Sequence, residues 1–129
     1  MAPYERLHAW QAAHRLVLEI YRITENWPKS ERFELTSQIR RAALSVPANI
    51  AEGTGRWGSR ELRRYLNFAL GSLLELSYYL LFARDRGLLS YPAWVEIEEL
   101  RNRAGQLTWR LLQSVARAAR TQSPPSRQT

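Results

Sequence analysis

Residues 53–58 form the stretch of the chain that most resembles a known binding motif. Their sequence, Gly-Thr-Gly-Arg-Trp-Gly, fits the spacing G-x-G-x-x-G, whose glycines let a backbone approach a dinucleotide pyrophosphate. That spacing has this meaning only between a β-strand and a helix, whereas here it follows a helical segment. We therefore predict a turn between two helices. The alternative is a phosphate site made by free N–H groups at the start of the next helix, beside Arg56 and Arg60.

Residues for metal binding or catalysis are sparse. Glu5 and His8 have the Glu-x-x-His spacing of di-iron bundles, but such a site needs a second motif and further glutamates. His14 is the only other histidine and cysteine is absent, which excludes disulfides, thiolate metal sites and cysteine nucleophiles. Glu52 and Glu75 are interpreted as partners of arginines. We predict no enzyme, no catalytic residue, no metal and no cofactor.

Four amphipathic segments must position any site, and the first two follow from the hydrophobic period. The first helix spans residues 5–26 and is stopped by Trp27 and Pro28. The second runs from Leu35 to about Glu52, and Pro47 inside it is expected to bend it without breaking it. The predicted core positions are Leu7, Trp10, His14, Val17 and Tyr21, then Leu35, Ile39, Ala42, Val46 and Ile50.

The third and fourth helices have clear end signals. Ser59 is the expected N-cap of the third helix and Gly87 its end, while Ser90 caps the fourth and Pro92 fits its first turn. Their predicted core positions are Leu62, Leu66, Ala69, Leu73, Leu76, Leu80 and Ala83, then Ile97, Leu100, Ala104, Leu107, Leu111, Ser114 and Ala118.

The short connections predict antiparallel neighbours in sequence order. The fold class is therefore all-α, an antiparallel up-down-up-down four-helix bundle, which a chain of 129 residues can form as one domain. We place the bundle at residues 1–120 and a disordered tail, rich in Ser, Pro and Gln, at residues 121–129.

The third helix carries more apolar surface than one core seam needs, which indicates a second contact. A subunit interface is the first explanation; the second is a membrane span, since residues 66–83 barely reach the required length. Asn67, Glu75 and Ser77 would be costly in lipid, so we expect a homo-oligomer and no membrane. Without cysteines or a signal-like apolar start, the expected location is cytoplasmic. The predicted interface residues are Phe68, Leu70, Leu74, Tyr79, Leu81 and Phe82.

Basic charge is concentrated at one end of this bundle. The chain has a formal net charge of +7, which favours a polyanionic partner. The end of helix two, the start of helix three and the end of helix four share a pole, which together with Arg6 and Glu5 has seven arginines and three glutamates. The opposite pole has more acids than bases. Helix four also carries a stripe without acids, consisting of Arg103, Gln106, Arg110, Gln113, Arg117 and Arg120.

These arginines can follow a phosphate backbone, although a solvated face is the alternative. Trp57 and Trp109 lie near them and would stack on unpaired bases or pack between subunits. The predicted nucleic-acid-binding residues are Arg56, Arg60, Arg63, Arg64, Arg103, Arg110, Arg117 and Arg120.

Several segments resemble a known family. Several stretches, residues 35–43, residues 46–53, Gly55-Arg56 and residues 68–73, together with Trp10 and Glu75, resemble the "four helix bundle protein" family, encoded in intervening sequences of 23S ribosomal RNA genes. The resemblance implies a homopentameric ring. It also implies similarity in fold to the accessory variability determinant proteins of diversity-generating retroelements, which bind nucleic acid and a reverse transcriptase. The motif residues Gln38, Arg41, Asn49 and Glu52 are interpreted as structural polar groups that satisfy one another around Pro47.

Two functions from different classes remain. The leading hypothesis is a non-enzymatic oligomeric accessory protein that binds RNA or DNA through its basic surfaces, with a reverse transcriptase as an expected partner. The alternative is a structural or protein-interaction ring whose basic surface meets an acidic protein without direct contact to nucleic acid.

Overall fold

The computed structural model describes residues 1–122 and consists of helices joined by short turns. No strand occurs in these residues, so the prediction of an all-α chain is confirmed. Single-turn 3-10 helices at Pro3–Arg6 and Lys29–Glu31 precede the first two α-helices. The α-helices are α1 (His8–Thr24), α2 (Leu35–Thr54), α3 (Ser59–Asp85) and α4 (Tyr91–Gln122). α4 extends to Gln122, and residues 123–129 of the predicted tail lie outside the described residues.

The helices form a square in which each packs against two neighbours. α1 lies against α2 and α4, and α3 lies against the same two helices. α3 and α4 are antiparallel, because residues later in α3 contact residues earlier in α4. Arg101 reaches the carbonyl of Leu73, and Arg84 lies 4.4 Å from the ring centroid of Trp94. The predicted up-down-up-down bundle is therefore confirmed.

The core positions of α2 and α3 agree with the hydrophobic period. All the predicted core positions of these two helices are buried except Leu62, which is half-buried at the start of α3. Pro47 is also buried, and α2 continues through it as one helix to Thr54. A continuous helix is compatible with proline because the neighbouring helices hold both halves in place by packing.

The core faces of α1 and α4 are rotated from their predicted positions. In α1, Ala9 and Ala13 are buried, whereas His14 and Tyr21 are exposed at the edge. The small alanine side chains let the helices approach closely, whereas the polar atoms of the His14 and Tyr21 rings remain in contact with water. The buried residues of α1 are Ala9, Ala13, Leu16, Val17, Ile20 and Thr24.

In α4 the buried positions are Ile97, Ala104, Thr108 and Leu112. Leu107 and Leu111 are half-buried, while Ser114 and Ala118, both predicted as core, are exposed. Thr108 can occupy the core because its hydroxyl donates a hydrogen bond to the Ala104 carbonyl at 2.8 Å. A satisfied hydroxyl avoids the cost of burying an unpaired polar group.

Most helix ends follow the predicted signals, but α1 begins at His8 after a 3-10 turn and ends at Thr24, inside the predicted range of residues 5–26. The N-cap of α3 is Gly58, with φ of 85°, so the prediction of Ser59 as N-cap is wrong by one residue. The tight turn after α2 requires a positive φ, which glycine adopts without a steric penalty. The prediction for Ser90 is confirmed, since its Oγ accepts from the Ala93 N–H at 3.2 Å. Gly87, with φ of 78°, ends α3 as predicted.

Candidate nucleic-acid interface

The arginine stripe of α4 lies entirely on the solvent face of the bundle. Arg103, Arg110, Arg117 and Arg120 are all exposed, as are the two glutamines between them. None of these four arginines has a carboxylate within 4 Å in the described structure. At a rise of 1.5 Å per residue the stripe extends about 25 Å along the helix. α4 therefore presents a row of unpaired guanidinium groups, Arg103, Arg110, Arg117 and Arg120, which we call the α4 row.

Arg6, which is outside the predicted set, extends this basic surface onto the 3-10 turn before α1. Arg6 and His8 line a groove together with Arg110, on the boundary between α1 and α4. The antiparallel packing of the two helices brings these residues together, although about a hundred positions separate them in the chain. Arg6 was counted with the basic pole, but His8 gave no signal in the sequence beyond its Glu-x-x-His spacing.

The arginines at the start of α3 line a shallow groove with Asn67 and Phe68. Arg60 is exposed and has no ion-pair partner in residues 1–122. The half-buried Arg63 donates from Nε to the Ser59 carbonyl at 3.4 Å. Arg64 is partly neutralised, since Glu61 lies 3.6 Å from it. Of the three, Arg60 and Arg63 keep an uncompensated charge.

Arg56 is held by its own turn. Its guanidinium contacts the Glu52 carboxylate at 2.7 Å and lies 5.3 Å from the ring centroid of Tyr65. The hydrogen bond from Arg56 lowers the pKa of Glu52, and that carboxylate in return raises the pKa of Arg56. Both side chains are about half-exposed. Arg56 therefore contributes less free charge to the surface than its position in the sequence suggests.

The glycine-rich stretch serves packing and chain reversal. Gly53 is buried inside α2, where a Cβ atom would come within 2.9 Å of the Tyr65 Cβ. The amide groups of Gly55 and Arg56 donate to the Glu52 and Gly53 carbonyls at the end of α2. These bonds use backbone donors that a phosphate loop would leave free. The structure thus supports the turn between two helices.

The arginines of α4 and those at the start of α3 form two clusters that lie toward the same end of the bundle. The register that places Arg101 against the Leu73 carbonyl puts the first turn of α3 level with about residues 111–115 of α4. Tryptophans flank both clusters: Trp57 is 95% exposed at the tip of the α2–α3 turn, and Trp109 is half-exposed beside the α4 stripe. Exposed tryptophans beside arginines are suited to stacking on unpaired bases.

Among the described residues, no hydrogen bond joins the polar side chains predicted to lie around Pro47 to one another. Asn49 donates to the Ser45 carbonyl at 2.7 Å, and Glu52 is bound to Arg56, so both bond within α2. Gln38 and Arg41 are exposed. Their spacings of three and eight residues place the four side chains on one face of α2, beside α3, where Arg41 acts on the pKa of Tyr79 and Tyr65 on the pKa of Glu52.

An exposed apolar surface runs along the outer side of α3. We call Phe68, Leu74, Tyr78 and Phe82 the α3 apolar face; all four are exposed, and Leu74 is 71% exposed. Of the predicted interface, Leu70, Tyr79 and Leu81 are instead half-buried, and the first two pack against the core. Tyr78 was missed, although its spacing of four from Leu74 and Phe82 could have identified it.

α3 is also the one helix in residues 1–122 whose length and hydropathy would suffice for a membrane span. A third of its most apolar window is buried inside the bundle. The core helix of a soluble protein can meet the same criterion of length and composition.

Comparison with known proteins identifies relatives of this fold. Residues 5–111 match the family described as "23S rRNA-intervening sequence protein". A solved structure from Bacteroides thetaiotaomicron, described as a protein with unknown function from the S23 ribosomal protein family, is similar with a TM-score of 0.73. The two sequences are 19% identical, and the match covers 81% of this chain and 98% of that one. No protein of curated function matches the chain.

Proposed function

Since the chain belongs to the 23S rRNA-intervening sequence protein family, we propose that it is an oligomeric accessory protein that binds RNA or DNA and catalyses no reaction. The observation that carries this proposal is the row of four exposed, unpaired arginines on α4. Residues 101–122 contain no acid that could neutralise the row. Arg60 and Arg63 at the start of α3 add charge toward the same end.

The chemistry of the row favours binding to a phosphate backbone over recognition of sequence. Each guanidinium can donate to a phosphate and release a condensed counterion, which makes affinity strongly dependent on salt. The arginines lie on one helix face over about 25 Å, long enough to follow several consecutive phosphates. Gln106 and Gln113 between them can donate to sugars or bases. We propose a cytoplasmic location, where such a partner is available.

A salt titration tests the proposal. Binding of the full chain to a fluorescently labelled structured RNA is measured by anisotropy between low and physiological salt. Changing Arg103, Arg110, Arg117 and Arg120 together to Gln should weaken binding and make the slope of log affinity against log salt shallower by about three. The matched control changes four exposed bases elsewhere, Arg15, Arg22, Lys29 and Arg86, to Gln and removes the same formal charge.

The control separates local binding from total charge. The α4 variant is the one in which Arg103, Arg110, Arg117 and Arg120 are all changed to Gln. If the control variant loses as much affinity for RNA as the α4 variant does, the α4 row is not the binding surface. Absence of RNA binding at low salt, or an unchanged slope in the α4 variant, would overturn the proposal.

We also propose that the chain assembles with copies of itself through the α3 apolar face, and the family resemblance leads us to expect a pentamer. Four exposed large side chains on one helix face are costly in water, and burying them against another subunit removes that cost. Assembly would present several α4 rows on one particle and so raise its avidity for a long polyanion.

The second candidate function is a structural or protein-interaction ring whose basic surface meets an acidic protein without direct contact to nucleic acid. The α3 apolar face favours it, since an interface needs an apolar centre and tolerates a basic rim. This second function predicts that the α4 variant no longer binds its acidic protein partner and that the wild-type chain shows no salt-dependent affinity for RNA.

A further inference from the structure

A second basic surface lies on the other side of the molecule, between the end of α1 and the first half of α2. It is an open groove of about 630 Å³, within the range of small-molecule sites. Three arginines line it, Arg32, Arg40 and Arg41, and none of the residues that form its walls is acidic. We infer that this groove binds a nucleotide, with the phosphate on the arginines and the base on an exposed aromatic ring.

The three arginines of the groove lack carboxylate partners. Each of the described ion pairs involves another arginine, so no carboxylate lies within 4 Å of Arg32, Arg40 or Arg41 in residues 1–122. Glu25 borders only the adjoining depression, which also contains Lys29. Three positive charges around one concave surface favour an anion, and the planar guanidinium matches the geometry of phosphate.

Arg40 is held in a fixed orientation. Its Nε donates to the Thr24 hydroxyl at 2.9 Å, and its guanidinium lies 4.4 Å from the ring centroid of Tyr21. Thr24 in turn donates to the Ile20 carbonyl at 2.8 Å, which fixes the hydroxyl as an acceptor for Arg40. The two terminal nitrogens of Arg40 have no hydrogen-bond acceptor in the described structure. A half-buried guanidinium with free, preoriented donors binds phosphate with little loss of side-chain entropy.

An aromatic ring on the rim distinguishes a nucleotide from a simple anion. Phe33 is 87% exposed, and Arg32 lies 6.0 Å from its ring centroid. A phenylalanine exposed to this extent gains stability when a planar base stacks on it. Leu44 adds an apolar wall to the same groove. The combined surface fits a phosphate joined to a base, either as a free nucleotide or as the phosphorylated end of a single RNA strand.

Calorimetric titration of the full chain tests the site with defined probes. Adenosine 5′-monophosphate should bind at least about tenfold more tightly than adenosine or inorganic phosphate, because only it meets both parts of the groove. Two RNA hexamers of one sequence, with a 5′-phosphate or a 5′-hydroxyl, separate the two sources. Tighter binding of the phosphorylated than of the 5′-hydroxyl hexamer assigns the groove to a strand end, because the α4 arginines contribute equally to both; equal binding of the two hexamers beside saturable binding of the monophosphate assigns it to a free nucleotide.

Two variants locate the binding. Arg40→Gln should weaken binding of the monophosphate about tenfold, and Phe33→Ala should weaken it severalfold. Phe33→Ala keeps the test valid if Arg40→Gln unfolds, because the exposed ring has little part in packing. Arg15→Gln and Leu18→Ala, on the exposed side of α1, are the matched controls and should bind as the wild type does.

Three results would overturn the inference. The first is absence of saturable binding of either phosphorylated probe, and the second is unchanged affinity in both groove variants. The third is dissociation of an oligomer by Phe33→Ala, which would assign the groove to a subunit contact. The inference does not rest on the proposed function, since the α4 row takes no part in it and the salt titration can fail independently.

Discussion

Gly53 and Tyr65 pack against each other where the end of α2 meets the start of α3. The Cα hydrogen of Gly53 leaves room for the Tyr65 side chain, whose ring also lies 5.3 Å from the guanidinium of Arg56. One small residue therefore fixes both the spacing of two helices and the position of a basic side chain. The glycine-rich stretch therefore serves helix packing and chain reversal, and the positive charge at this end of the bundle comes from the arginines around it.

Gly53→Ala should destabilise the bundle. The new Cβ would lie 2.9 Å from the Tyr65 Cβ and 3.1 Å from a Leu62 methyl carbon, so the helices must move apart. We expect a loss of about 1–3 kcal/mol, typical of overpacking, in the free energy of unfolding by urea. Gly55→Ala is the control, because its nearest neighbour would be a carbonyl oxygen at an ordinary 3.6 Å. Equal stability of the two variants would contradict the packing role of Gly53.

Tyr79 should make stability fall at high pH. Burial and the negative charge of Glu75 raise the pKa of Tyr79, while Arg41 acts in the opposite direction. A raised pKa in the folded state favours the neutral ring, so its contribution is complete below about pH 10 and is lost as pH rises through the raised value. Urea unfolding between pH 8 and 11 should show a steeper loss for the wild type than for Tyr79→Phe.

The control for this pH dependence is Tyr91→Phe, which removes an exposed tyrosine on α4. It should follow the wild-type curve. If Tyr79→Phe follows that curve as well, another group causes the loss of stability.

α3 and α4 are joined by a polar cluster as well as by their apolar seam. The side chains of Arg101 and Glu98 form an ion pair on α4 and are only 14% and 13% exposed. Ser77 on α3 donates to Glu98 at 3.1 Å, and Arg101 donates to the Leu73 carbonyl at 3.5 Å. Because both charges have partners on two helices, the cluster favours one register between α3 and α4. That register brings the start of α3 level with the α4 row.

Arg101→Ala should cost more stability than loss of an exposed arginine on the same helix. It leaves the carboxylate of Glu98 largely buried without its cation, and breaking such a pair costs about 3 kcal/mol. Arg103→Ala, two residues away and exposed, is the control and should change the free energy of unfolding by less than about 0.5 kcal/mol. Denaturation midpoints that shift equally in the two variants would show that the cluster has no special structural role.

The whole molecule presents chemically different surfaces on different sides. The exposed α4 row is basic, the α3 apolar face is uncharged, and the α1–α2 groove combines arginines with aromatic rings. A bundle permits this because each helix contributes one face to the core and leaves the opposite face open. Assembly through one surface can therefore leave the other two accessible to ligands.

Leu74→Glu should dissociate the proposed oligomer without unfolding the subunit. Leu74 is 71% exposed in the single chain, so a glutamate is tolerated there, but an interface would bury its charge without a partner. Native mass spectrometry at micromolar concentration should show an assembly for the wild type and monomer for the variant. Leu18→Glu on α1 is the control and should keep the assembly. A wild-type monomer, or an unchanged assembly in Leu74→Glu, would remove the α3 apolar face as the interface.

Much of the basic site could be predicted from the chain. The α4 row follows from helical spacing and the absence of acids, and all four arginines are indeed exposed. The pairing of Arg56 with Glu52 and of Arg64 with Glu61 also had a signal, in spacings of four and three. The α1–α2 groove had none, since Arg40 and Thr24 are sixteen residues apart and meet only when two helices pack.

The sequence by itself determined the number and type of the helices, the core of α2 and α3 and most helix ends, because these depend on local period and on single capping or turn residues. Only the tertiary structure decided which side of α1 and α4 faces inward. Alanine and threonine fit either environment, so the shape of the neighbouring helices selects Ala13 and Thr108 for the core over His14 and Leu107. Burial is a property of the packed bundle. The hydrophobic period along one helix determines the buried face only where large apolar residues occupy that face alone.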